Sequence, residues 1–193
     1  MAMRTTLKPL AIFRRIGRNQ EGLAYLEFAL VMPLLMLLFL GGLELSRYIQ
    51  VSQKVDRVTH TIVDLVAQAP TISESELAQI MQAVQHVMDP YEFSDGGKII
   101  ISCVGYNDQG NLVVKWQYAG GGELERGSRI GDVNNAPVLP EGFLVEARDN
   151  VIIAEAFFSF EPMINEQFVS PIEFYRTAFY LPRIGELDVL LPN

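Results

Sequence analysis

Residues 22–45 read Gly-Leu-Ala-Tyr-Leu-Glu-Phe-Ala-Leu-Val-Met-Pro-Leu-Leu-Met-Leu-Leu-Phe-Leu-Gly-Gly-Leu-Glu-Leu. From Phe28 to Leu43, sixteen residues carry no charge and no strongly polar side chain. A bilayer core of about 30 Å takes roughly 20 apolar residues as a helix. Extending the stretch to Leu23–Leu45 gives twenty-three residues, or roughly 34 Å at a helical rise of about 1.5 Å. That is long enough to span, with Glu27 near one end and Glu44 near the other. A carboxylate inside a span costs about 2.5–3.5 kcal/mol at its centre and less towards the rim. Glu27 is therefore either an interfacial residue snorkelling to the headgroups or a functional group. Pro33 lacks an N–H and crowds the carbonyl of Ala29, so a kink or local opening is expected there.

The flanks set a direction. Residues 1–22 carry Arg4, Lys8, Arg14, Arg15 and Arg18 against Glu21 alone. The rest of the chain holds ten basic and twenty-two acidic side chains within a total net charge of −8. Basic residues before a span keep that end cytoplasmic, which places the acidic remainder outside the inner membrane. Net acidity also argues against nucleic acid and against anionic lipid as partners.

A short basic leader, a glycine, and an apolar helix with an acid at its fifth position resemble the TadE-like family. These are minor pilins or pseudopilins of the tight-adherence (Flp) branch of type IV pili. The resemblance rests on Gly22 to Pro33 and the Leu-rich run to Gly41 and Gly42. It implies that a prepilin peptidase cuts between Gly22 and Leu23, with Glu27 then fifth and Phe28 sixth in the mature chain. Flp pilins commonly have tyrosine at the sixth place, so Phe28 keeps the ring and lacks the hydroxyl. It also implies that Glu27 pairs with a neighbouring subunit's free α-amine. Such a pair would fix axial register between helices, as a lone polar residue does in a coiled coil. Implied partners are the prepilin peptidase, other Tad/Flp pilins and minor pilins, and the inner-membrane assembly platform. The implied place is a single-pass inner-membrane protein, N-terminus cytoplasmic and C-terminal domain periplasmic, able to enter an extracellular pilus. Ala154, Glu155, Phe158, Phe160 and Pro162, then Ala178, Tyr180, Pro182 and Arg183, loosely follow a strand pattern of the same relatives.

Other uses of the stretch stay open. A secretory signal has an apolar core of about 7–15 residues and a small-x-small site, and the only small residues near the end of the run are Gly41, Gly42 and Ser46. An uncleaved signal anchor needs no special site.

After Leu45 the periodicity continues. Tyr48, Val51, Val55, Val58, Ile62 and Leu65 recur every three or four residues between polar neighbours, which predicts an amphipathic helix. No proline or glycine interrupts residues 44–68, so one helix is predicted from about Leu23 to Gln68. Pro70 stops it. Ser73 and Glu76 form an S-x-x-E capping box with Ile72 and Leu77 as a hydrophobic staple, opening a short helix to about Asp89. Lys98–Val104 and Leu112–Tyr118 read as a hairpin around Asn107–Asn111. Those turn oxygens lack calcium-loop spacing. Gly120-Gly-Gly122 opens a polar loop to about Gly142 without the G-K-[ST] of a phosphate loop. Its charges, Glu123, Glu125, Arg126, Arg129 and Asp132, read as a solvated surface, and a loop this long is a candidate partner contact. Strands follow at Asn150–Phe160 and Ile172–Tyr180.

The expected organisation is a leader (1–22), a span (23–45), an amphipathic continuation (46–69) and an extracytoplasmic domain (70–193). The class is α+β: one long helix, a short second helix and a small antiparallel sheet. No catalytic constellation stands out. The two histidines, His60 and His86, lie on separate helices, and the single cysteine, Cys103, excludes a Cys–Cys zinc pair and reads as a buried small residue. The expectation is a non-enzymatic pilus-assembly component without cofactor or metal. The runner-up is a bitopic protein whose outer domain binds a ligand or wall component, and a membrane-anchored hydrolase comes third.

Overall fold

The computed structural model describes residues 20–146, 149–163 and 170–192, with side chains from Gly22 onward. The predicted leader, up to residue 19, lies outside the described residues. Helix α1 runs Gln20–Gln68, then come strand β1 (Ile72–Ser73), helices α2 (Glu74–Met88) and α3 (Phe93–Gly96), and strands β2 (Gly97–Tyr106), β3 (Leu112–Gly120), β4 (Val151–Phe160), β5 (Ile172–Tyr180) and β6 (Leu190–Leu191). The chain divides into two compact units between Leu45 and Ser46.

The first unit is helical. The helix continues through Pro33, although proline gives the Ala29 carbonyl no helical donor. Every residue from Gly22 to Leu43 is exposed.

The second unit is built on a four-stranded antiparallel sheet of order β3-β2-β4-β5. Strand side chains alternate between faces, and both faces of this sheet are covered. On one face, Ile99, Ile101, Cys103, Trp116, Ile152, Ala154, Ala156, Phe158, Phe160, Phe174 and Ala178 share a core with Val51, Val55, Val58, Ile62, Val63 and Val66 of α1 and Leu77, Met81, Val84 and Met88 of α2. Of the stripe read in the sequence, Val51, Val55, Val58 and Ile62 are core-packed, whereas Leu65 is exposed and Val63 and Val66 fill the last turns of the buried face instead. The capping box is present: the Glu76 N–H donates to Ser73 Oγ at 3.3 Å, and the Ser73 N–H to Glu76 Oε2 at 2.9 Å. Ile72 and Leu77 are both buried. Lys54 closes the other end of α2, donating from Nζ to the carbonyls of Val87 (2.9 Å) and Asp89 (2.6 Å), a favourable place for a cation.

The second face carries Val104, Val114, Val151 and Ile153, packed with Ile130 and Val145 of the long connection between β3 and β4. That connection is the sheet's second layer. Its backbone also ties to the β3 edge, with Val114 N–H donating to Asn135 and Asn134 N–H to Val114.

The C-terminal segment returns over the core. Arg183 N–H donates to the Ala67 carbonyl at 2.8 Å, Trp116 Nε1 to Leu187 at 2.7 Å, and Asn150 Nδ2 to Glu186 at 2.7 Å. It ends as β6, pairing in parallel with β1. At Gly185, φ is +76° and a Cβ would stand 2.7 Å from the Pro70 carbonyl oxygen, so the close passage past the end of α1 requires glycine.

Candidate functional site

The sequence singles out Gly22, Leu23, Glu27, Phe28 and Pro33, all on α1 in the first unit. Local composition makes this helix: Leu, Met and Ala favour it, and no glycine lies between Gly22 and Gly41. Yet no described residue of the chain covers its apolar surface. Leu23 is 57 % exposed and Phe28 59 %. The most apolar window of the helix has a mean hydropathy of 2.3, and none of it is buried. Exposing this much contiguous apolar surface marks a membrane or protein interaction surface.

Two residues there have no structural reason within the described chain. A Cβ added at Gly22 would meet nothing within 4 Å, so close packing does not require glycine. Glycine costs a helix interior roughly 0.5–1 kcal/mol relative to alanine. Glu27 is exposed among apolar neighbours and makes no hydrogen bond or ion pair with another described residue. Gly22 and Glu27 stand five positions apart on one helix.

The second unit contains a site that sequence reasoning missed. Glu155, in the middle of β4, is fully buried. Its Oε1 accepts from the Arg129 backbone N–H at 2.8 Å and from the Tyr175 hydroxyl at 2.8 Å, and its Oε2 accepts from Ser128 Oγ. Burial, then the hydrogen bond to Glu155, pushes the Tyr175 hydroxyl well above the usual tyrosine range. The Arg129 guanidinium lies 4.1 Å from the centre of the Tyr175 ring and reaches Glu173 Oε1 at 3.0 Å, and Arg126 Nε reaches Glu173 Oε2 at 2.6 Å. The loop charges Glu123, Glu125, Arg126, Arg129 and Asp132 are all exposed, as a solvated surface is, and two of them, Arg126 and Arg129, also pair with Glu173. The two arginines bind the loop to β5, because apolar residues around them bury against the sheet and bring the charges to Glu173. The visible signal was a lone acid within Val-Ile-Ile-Ala-Glu-Ala-Phe-Phe, which needs donors if the strand is buried. With every carboxylate oxygen occupied by a structural donor, this cluster anchors a loop and presents no reactive group.

The remaining candidates resolve structurally. Asn107 Oδ1 accepts from the N–H groups of Gln109 and Asn111, so it closes the turn. His60 stands 4.0 Å from Asp56 on the same helix and edge-on to Tyr180, and His86 lies in the last turn of α2. Cys103 is buried, and that burial pushes its thiol up to about 12. No group of three or more His, Cys, Asp and Glu side chains placed to hold a metal occurs among the described residues. A cavity of about 480 Å³ opens between Phe143, Leu144, Val145, Phe179 and Leu181. It is mostly apolar, with Glu146 and Asp149 also in its lining.

Among the described residues one helix, near the N-terminus, is long and apolar enough to cross a membrane, which fits a single-pass membrane protein. The model of the family described as TadE-like protein matches residues 22–64, beginning at Gly22 itself. Those residues are similar to the TadE-like family, and with the apolar helix this fits a membrane protein associated with the Tad pilus. No curated protein and no solved structure matches the chain.

Proposed function

We propose that the chain is a non-enzymatic minor pilin or pseudopilin of a tight-adherence (Flp) pilus. Prepilin peptidase removes the basic leader between Gly22 and Leu23, and the mature helix waits in the inner membrane with the α+β domain outside. It is then drawn into an assembling complex, where it primes, caps or joins the fibre.

The observation that carries this is the pairing of Gly22 with Glu27 on an uncovered apolar helix whose family match starts at that glycine. A glycine without a packing reason suits a peptidase that must approach the backbone. A lone carboxylate in lipid requires a partner, and the α-amine freed at Leu23 of a neighbouring subunit supplies the opposite charge. An unpaired partner in a low-dielectric bundle is costly, so the pair would select one axial register. Phe28 follows as the ring beside that carboxylate, and Pro33 loosens the backbone one turn further on.

Glu27→Ala tests the register role. The variant is expected to be processed and inserted normally but to be lost from the complex recovered with the other Tad pilins. Co-purification at the wild-type level would rule that role out.

The second reading, a bitopic protein with a ligand-binding outer domain, would place its ligand in the apolar cavity by Phe143 and Phe179. It leaves Gly22 and Glu27 without a purpose, which is why the pilin reading is preferred.

A further inference from the structure

Residues 181–191, the last stretch of the second unit, cover part of its core while burying almost nothing of themselves. Between β5 and β6 they form no regular element. Only Leu187 among them is buried, and Leu181, Ile184, Val189 and Leu191 are exposed. The remaining ties are spread thinly along the segment. Arg183 N–H donates to the Ala67 carbonyl, Asn150 Nδ2 to that of Glu186 and Trp116 Nε1 to that of Leu187. The β1–β6 ladder adds two residue pairs. The Arg183–Asp64 ion pair lies at the surface, where such a pair contributes little.

Closure also holds two residues in the left-handed region: φ is +76° at Gly185 and +47° at Leu187. Glycine adopts that region freely, whereas a bulky side chain there is an outlier. Strain of this kind persists only where surrounding contacts impose it. Leu187 is thus both the one buried anchor of the segment and a strained one. Segments with few buried apolar contacts open ahead of the rest of a fold.

Strand register fixes what lies beneath. Trp116 on β3 stands opposite Cys103 on β2, and both share the core with Leu187. The Cys103 thiol is raised by burial, lowered by Lys115 and raised again by Asp188, which puts the Asp188 carboxylate close to it.

We propose that residues 181–191 form a strap that opens as a unit while the four-stranded sheet stays folded, baring Trp116 and Cys103. The outer unit can then expose and re-cover part of its core without unfolding, and the opening involves that unit alone.

Cys103 is the single cysteine of the chain, so its reaction with a maleimide follows the opening in the full chain in detergent. Global unfolding exposes the thiol with a urea dependence of roughly 5- to 140-fold per molar. A strap exposes little surface, so its opening is expected to change the labelling rate less than about twofold over the first molar of urea. Gly185→Ala puts a Cβ at positive φ in the closed strap and is expected to speed labelling roughly 5- to 25-fold. Glu155→Gln weakens a buried cluster whose partners all lie outside the strap, and it is expected to leave the rate unchanged. Labelling that climbs along the unfolding slope from the first addition of urea overturns the proposal. So does a Glu155→Gln rate raised as much as that of Gly185→Ala, or a Gly185→Ala rate equal to wild type. A Cys103 that reacts only once circular dichroism shows the sheet unfolded overturns it too.

Discussion

Replacing Glu155 with alanine should strongly destabilise the outer unit. The side chain is fully buried and accepts from the Arg129 N–H, the Tyr175 hydroxyl and Ser128 Oγ. Truncation leaves up to three donors facing a cavity, and each buried donor without a partner costs about 1–3 kcal/mol. The losses do not add fully, because Tyr175 is only partly buried and its hydroxyl can rotate. With two to three donors left largely unpartnered, a loss of about 3–5 kcal/mol is expected. Glutamine keeps one acceptor oxygen and the volume, so Glu155→Gln should cost about 1 kcal/mol, near the value of a single neutral hydrogen bond. The assay is urea unfolding of the full chain in detergent, followed by Trp116 fluorescence. Trp116 is buried on β3 and bonded to Leu187, so it reports this unit. With urea slopes of about 1–3 kcal/mol per molar, the alanine variant should lower the midpoint by roughly 1–5 M. An alanine midpoint within about 0.5 kcal/mol of wild type, the range of a neutral surface substitution, would refute the claim that Glu155 anchors the loop. So would a glutamine variant as unstable as alanine.

Two further outcomes follow from the same unit. Ser73→Ala removes the cap of α2 and should cost about 1 kcal/mol, while Ser73→Thr keeps the oxygen and most of the stability; equal midpoints for the two variants would deny the cap a role. Burial raises the Cys103 thiol from 9.0 to about 12, so above pH 9.0 the unfolded chain releases a proton that the folded chain holds. Its contribution is complete below that pH and is lost as pH rises to about 12. Tyr175 is shifted in the same direction. The urea midpoint should fall across this window, less steeply in Cys103→Ala, and identical slopes would contradict the burial argument.

Local signals carried most of the fold. The helical spacing from Val51 to Ile62, the Ser73–Glu76 box, the proline stop at Pro70 and the Asn107–Asn111 turn are all short-range, and each element falls where they place it. What escaped was long-range. Arg126 and Arg129 meet Glu173 across more than forty residues of chain, and the Trp116–Leu187 bond closes over 71. Periodicity says nothing about such pairings, so the 121–146 segment read as a polar loop although it forms the second layer over the sheet. Glu155 was visible as an anomaly in an apolar strand, but its donors come from a loop and from the next strand. The parallel β1–β6 pair was likewise hidden, being two residues long and joining distant ends. At the candidate site the balance reverses. Gly22, Leu23, Glu27 and Phe28 were legible because their pattern is linear, and the structure adds that neither Gly22 nor Glu27 has a packing role in the described chain.

The central claim is processing at Gly22. Its most direct test is the mass and N-terminal sequence of the mature protein from cells with and without their prepilin peptidase. The account predicts a chain that begins at Leu23 only when the peptidase is present, and an uncut leader when it is absent. A protein that still begins at Met1 in both, or that is cut near Ser46, would contradict it.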